Sequence, residues 1–190
     1  PVEHELEASG AIRHAAASAA AMMWPQTRLH MVRVGLALYG LWPSPQTRKV
    51  MEQRIALEPV LRWTSPLAAI RSIEPGDTVG YGRTFRSERR TTIGVVPIGY
   101  YDGVPRALSN AGAVVAGGRR CAIAGRICMN MFMIDLGPNA KERPGAQVTL
   151  IGNDADATVS ADDWATWADT INYEIVARLP EHAHRAYLMP

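Results

Sequence analysis

From about Leu57 onward, short β-like runs alternate with turn signals, and this punctuation confines the later part of the chain to a compact antiparallel β-domain. The runs include LRWTSPLAAIRSI before Pro75-Gly76-Asp77, TTIGVVPIGYY before Asp102-Gly103, and AVVAG before Gly118. The pattern continues through CAIAGRICM, MFMIDL and QVTLIG, with Gly137-Pro138 and Pro144-Gly145 between them. Ser160 and Asp163 have the spacing of a capping box and predict a helix within DDWATWADT; Ile171 to Leu179 predicts a further helical turn or two.

The earlier part is written differently. Gly10 to Trp24 is small-residue and Ala-rich, which predicts a helix closed by Pro25. Met31 to Tyr39, MVRVGLALY, is nearly continuous in apolar character and predicts a strand buried on both faces of a parallel sheet. Pro43, Pro45 and the polar run from Gln46 to Lys49 read as a linker. The chain starts at Pro1 and enters its Ala-rich stretch without an intervening loop, so it is expected to be a fragment entered midway. At 190 residues it can form one domain with a sizeable core, or a small domain plus a piece of another.

Composition narrows the function classes. An apolar fraction of 47% with 20% charged residues excludes a disordered chain. Formal net charge is +2 and the basic residues are scattered, so an electrostatic footprint for nucleic acid is missing. No run approaches the roughly eighteen apolar residues of a membrane span. Cys121 and Cys128 are too few for a disulfide framework and have no metal-ligand spacing with the histidines; no metal site is expected, and a reducing cytoplasm suits them. Cys128 reads as a buried small apolar residue rather than a nucleophile. Lysine is confined to Lys49 and Lys141.

Six phrases in fixed order resemble the alanine racemase family from about Ile12 to the end: HAAAS at 14–18, MVRVGLALYG at 31–40, VGYGRTF at 79–85, PIGYYDG at 97–103, GRICMN at 125–130 and INYE at 171–174. The resemblance implies a parent (β/α)₈ barrel with a carboxy-terminal β-domain. Residues 1–55 would be an α/β barrel remnant, the last strands and helices, and 56–190 the mainly antiparallel β-domain. It also implies pyridoxal 5′-phosphate as cofactor, the electron sink that makes an amino-acid α-proton removable.

Inversion needs a proton donor or acceptor on each face of the planar carbanion, and the family uses a lysine and a tyrosine. Tyr81 matches that tyrosine. A phenol ordinarily titrates near ~10, so a base role requires nearby positive charge, for which arginines are available. Without the flanking phrases, Tyr81 reads as a tyrosine packed on a β-turn.

Arg33 matches the residue that donates to the pyridine nitrogen; a permanent cation there weakens the electron sink and favours racemisation over other carbanion reactions. Taken alone, it is a strand-end arginine needing a carboxylate. By the same resemblance, Ser18, the backbone N–H groups of Gly35 and Leu36, and the Tyr173 hydroxyl would hold the phosphate, with His14 hydrogen-bonding near Arg33. Unaided, Ser18 is an ordinary helix residue and His14 a core histidine. Met129 would offer its N–H to the substrate carboxylate, and Tyr100 would line the entrance.

A homodimer with shared active sites is implied, with Tyr81 and Met129 reaching into the partner's barrel. The chain departs from the family at Asn130, where aspartate is usual, and at Tyr101, where a small residue is common; both bear on substrate preference. The family's cofactor lysine lies in an early barrel strand absent here, and neither Lys49 nor Lys141 fits it, so the chain alone is expected to be inactive without a first half. The expected function is L/D-alanine interconversion. The alternatives are a racemase for serine or a broader amino-acid set, and a lysine-less pseudo-enzyme or dimerisation module. A decarboxylase on the same barrel type is disfavoured by the phrases around Arg33 and Tyr81.

Overall fold

The computed structural model describes residues 10–188; the outermost residues of the two expected domain spans, 1–9 and 189–190, lie outside the described residues. The chain divides into two compact units, Pro1–Val60 and Leu61–Pro190.

In the first unit, β1 (His14–Ala17) and β2 (Met31–Arg33) pair in parallel, and α1 (Ser18–Met23) lies in the crossover between them. Parallel strands cannot be joined by a tight turn, so a crossover of this length is what such pairing requires. The expected Ala-rich helix is therefore shorter than predicted. Its first part, from His14, is strand, because pairing with Met31–Arg33 outweighs the helix propensity of alanine.

The expected buried strand over Met31–Tyr39 is also corrected. Only Met31–Arg33 is strand, and all three residues are exposed, since a two-stranded sheet covers neither face. Leu36–Tyr39 winds into a 3₁₀ turn behind Gly35. The expected linker at Gln46–Lys49 is helix α2 (Pro45–Met51). Ser44 caps it, accepting from the Thr47 N–H at 3.1 Å, and Pro45 at the first turn has no N–H to leave unpaired.

The second unit is mainly antiparallel β, as the sequence predicts. Strand β7 (Thr91–Val96) sits between β4 (Ala69–Ile73) and β10 (Phe132–Gly137). A second sheet runs β12 (Ala157–Val159), β11 (Gln147–Asp154), β8 (Ala113–Ala116), β9 (Arg119–Ala122), with β3 (Trp63–Pro66) also pairing β11. The short hairpin of β5 (Thr78–Val79) and β6 (Phe85–Arg86) forms its own sheet.

Alternation explains the core: β10 turns Phe132, Ile134 and Leu136 inward, and all three are buried. Full burial of each such side chain contributes roughly 1.5–3 kcal/mol. Helix α3 (Ala161–Trp167) opens on the predicted capping box, the Ser160 hydroxyl accepting from Asp163 N–H at 3.0 Å. That cap aims Trp164 into the core, where its indole N–H donates to Ala113 O at 3.2 Å and its ring meets Trp63 at 5.7 Å. Helix α4 (Asn172–Ala177) follows.

Candidate active site

Tyr81 stands at the tip of the β5–β6 hairpin, in the 3₁₀ turn Tyr81–Arg83. The hairpin is held from below: Val79 and Phe85 pack on a cluster of Ile73, Ile93, Ala124 and Met133. The tip itself is tightly bent. Gly82 has φ +70°, and Arg83 sits at φ +51°, an uncommon region for a side chain with a Cβ. Backbone held in this way projects Tyr81 outward, leaving it 72% exposed.

The hairpin rests against the segment Gly125–Met129. A Cβ on Gly125 would stand 2.6 Å from Val79 O, and Gly125 has φ +83°, so only glycine meets both demands. The Arg126 guanidinium lies about 3.3 Å from where a Cβ on Gly82 would stand, which puts a cation beside the Tyr81–Gly82 turn. Arg126 was not among the site residues expected from sequence, although it lies inside the phrase GRICMN, three positions before Met129.

Tyr100 lies in a 3₁₀ turn, Tyr100–Asp102, because the strand expected through GYY ends at Val96 before Pro97, which lacks an N–H for the ladder. The turn grips the same segment: Tyr100 N–H donates to Cys128 O and Tyr101 N–H to Met129 O, each at 3.0 Å. Hydrogen bonds thus tie Tyr100 to the Met129 loop, and packing ties the Tyr81 hairpin to the segment before it. Tyr173 is on α4 and half-exposed. Its neighbour Asn172 is buried and donates to Asp162 at 2.6 Å, while Glu174 accepts from the Thr170 hydroxyl and from Arg178. Those two donors hold the Glu174 carboxyl below its ordinary range, the Thr170 hydrogen bond being the larger cause.

In the first unit, Ser18 follows the end of β1, and Gly35 and Leu36 follow the end of β2. These are the carboxyl ends of parallel strands, where α/β folds place ligands. Ser18 is 5% exposed, and its hydroxyl oxygen accepts from the Gly35 N–H at 3.1 Å. The space a Cβ would occupy on Gly35 is open.

Arg33 and His14 are in contact through Nη1 and Nδ1. A guanidinium only donates, so Nδ1 accepts. Both residues are exposed in this chain, and the partner of Arg33 is the histidine rather than a carboxylate. The cause of the exposure is again the uncovered two-stranded sheet.

Lys49, on α2, and Lys141, in the loop between β10 and β11, are both exposed. Among the described residues, no group of three or more His, Cys, Asp or Glu side chains could hold a metal, and no helix is long and apolar enough to cross a membrane. Burial pushes the Cys121 thiol up, which disfavours the thiolate. The burial expected of Cys128 is met only in part.

The carboxy-terminal domain model of alanine racemase matches residues 60–187, and the amino-terminal domain model matches 2–43. The chain is 42% identical over 178 residues to alanine racemase of Leptospira interrogans, spanning 92% of this chain and 46% of that protein. Alanine racemase of Mycolicibacterium smegmatis is likewise 42% identical over 178 residues, spanning 93% of this chain and 44% of its own. Among solved structures, alanine racemase from D-cycloserine-producing Streptomyces lavendulae superposes with a TM-score of 0.89 at 35% identity, covering 99% of this chain and 49% of that one. The Bacillus anthracis enzyme, solved with bound L-Ala-P, gives 0.84 at 35% identity, with 94% and 46% covered. The chain thus spans about half the length of the curated relatives it matches. With one family model aligned across the whole β-domain and 42% identity to relatives on both sides of the unit boundary, the chain belongs to the alanine racemase family.

Proposed function

We propose that this chain is the carboxy-terminal portion of a pyridoxal-phosphate-dependent racemase that interconverts L- and D-alanine in the cytoplasm, with Tyr81 as one of its two acid/base groups. The observation that carries the reading is the Tyr81 hairpin: an exposed phenol on a strained, well-anchored tip, whose Gly82 lies against the Arg126 guanidinium. In this reading residues 1–55 complete the cofactor barrel and 56–190 form the β-domain.

The donors of the first unit fit the cofactor's anionic group. Ser18 Oγ accepts from the Gly35 N–H beyond the strand ends, beside open space, and keeps its own hydroxyl hydrogen to donate; a phosphate there would accept from Ser18, and from the Gly35 N–H on displacing that bond. Leu36 N–H would add to its hold. Arg33, oriented by His14, would donate to the pyridine nitrogen. When bound, the cofactor supplies the electron sink for the carbanion.

The remaining steps fall to the side chains. Met129 N–H receives the substrate carboxylate, on a loop held by the Tyr100–Asp102 turn. Tyr81 takes the α-proton from one face or returns it there, while the lysine of the missing barrel half serves the other face, so one proton leaves and one is delivered per inversion. Asn130 removes a negative charge next to Met129, so serine is the second substrate to try. Because Tyr81 points outward from its own unit, a homodimer in which each β-domain completes the partner's barrel site is part of the proposal.

The test is the full-length polypeptide, or this chain assembled with a lysine-bearing first half. L-alanine is supplied, and D-alanine is followed by polarimetry and by a D-amino-acid oxidase couple. Conversion is expected in both directions; a cofactor-loaded protein that racemises neither alanine nor serine refutes the reading and leaves the binding-module alternative.

A further inference from the structure

The last described segment of the chain returns to the turn that holds the Met129 loop. His182 Nε2 lies 3.0 Å from Asp102 Oδ1, and the His182 ring stacks on Tyr101 with centroids 5.5 Å apart and planes at 24°. A carboxylate only accepts, so His182 is the donor. The other Asp102 oxygen, Oδ2, accepts from the Gly99 N–H at 2.8 Å, closing the turn on itself. Asp102 is therefore shared between its own turn and a residue 80 positions away.

The same turn meets the end of α4, since a Cβ on Gly103 would stand 2.2 Å from Arg178 O. On its other side it donates the two hydrogen bonds to Cys128 O and Met129 O. The Asp102–His182 and Tyr101–His182 contacts thus brace one side of a turn whose other side holds Met129.

We infer that His182 is a positioning residue: through Asp102 and Tyr101 it fixes the Tyr100–Asp102 turn, and through that turn the Met129 backbone that would receive the carboxylate of a small amino acid. Tyr101 acquires a role here. A small residue at that position would leave His182 no ring to stack on, so the unusual tyrosine and the distant histidine act as a pair. The inference rests on the functional reading above for the identity of the carboxylate, and on the geometry alone for the brace.

The test compares His182→Ala, His182→Gln and His184→Ala in the full-length protein. Hydrogen exchange is read by mass spectrometry on peptides covering 98–104 and 125–131, together with kcat and KM for the amino acid. His182→Ala is expected to speed exchange in those peptides roughly 3- to 10-fold, the factor one net hydrogen bond is worth, and to raise KM more than it lowers kcat. His182→Gln, which keeps a donor for Asp102, should recover much of the protection, and His184→Ala, an exposed neighbour, should change neither readout. Unchanged exchange in His182→Ala, or exchange raised equally throughout the β-domain, overturns the brace. Faster local exchange with unaltered KM overturns its role in placing the carboxylate. A wild-type protein that shows the brace and the expected exchange but turns over no amino acid overturns the functional reading instead.

Discussion

Replacing Tyr81 by phenylalanine separates catalysis from folding more cleanly than any other change at this site. The ring is 72% exposed and the hairpin is anchored by Val79 and Phe85, so loss of one outward hydroxyl should alter stability by less than about 0.5 kcal/mol. For a chain of this size that is a Tm shift of no more than about 2 °C. A general acid/base contributes about 10²–10⁴-fold, or roughly 3–5 kcal/mol of barrier at 1.36 kcal/mol per decade. The assay uses the full-length Tyr81→Phe protein and measures racemisation from both enantiomers together with α-hydrogen exchange in deuterated water. If each face has its own acid/base, racemisation collapses in both directions while one enantiomer still exchanges its α-hydrogen through the surviving group. An unaltered kcat, or a loss of activity matched by a comparable loss of stability, would refute the assignment.

Gly125→Ala should destabilise the β-domain by roughly 2–4 kcal/mol, because the new Cβ meets Val79 O at 2.6 Å at a left-handed φ; urea unfolding measures it, and racemase activity should fall as the Tyr81 hairpin shifts. Glu142 accepts from Arg119 at 2.6 Å with its side chain 8% exposed, and that hydrogen bond, the largest cause, holds its carboxyl below the ordinary value of 4.5. Its contribution is therefore fully present above that pH and lost as pH falls through the depressed folded value. Wild type should lose more stability than Glu142→Gln on acidification through that window, as read by Tm against pH. Ser18→Ala removes a buried hydroxyl from the proposed phosphate cradle and should weaken cofactor affinity roughly tenfold in an equilibrium absorbance titration, the amount one charge-assisted hydrogen bond represents.

What local chemistry controls could be read from the sequence. Ser160 and Asp163 encode a helix start because the cap is satisfied within four residues, and the β-domain strands follow from alternation and Pro/Gly punctuation. The positions of Tyr81, Met129 and Tyr100 were reached through ordered phrases. Their physical setting was not: the Gly125–Val79 contact, the Arg126 cation beside Gly82, and the His182–Asp102 hydrogen bond join residues tens of positions apart, and no local pattern encodes them.

The first unit shows the opposite failure. His14–Ala17 has the composition of a helix and Met31–Tyr39 that of a long buried strand, yet parallel pairing with Met31–Arg33 turns the first into strand, and Gly35 stops the second after three residues. Sequence by itself determined the family, the β-domain and the residue types available for proton transfer, because those depend on short-range pattern. Tertiary structure decided which segments pair, which cation lies against Gly82 and what braces the Met129 loop, because backbone hydrogen bonding between distant segments outweighs the few tenths of a kilocalorie by which local propensities differ.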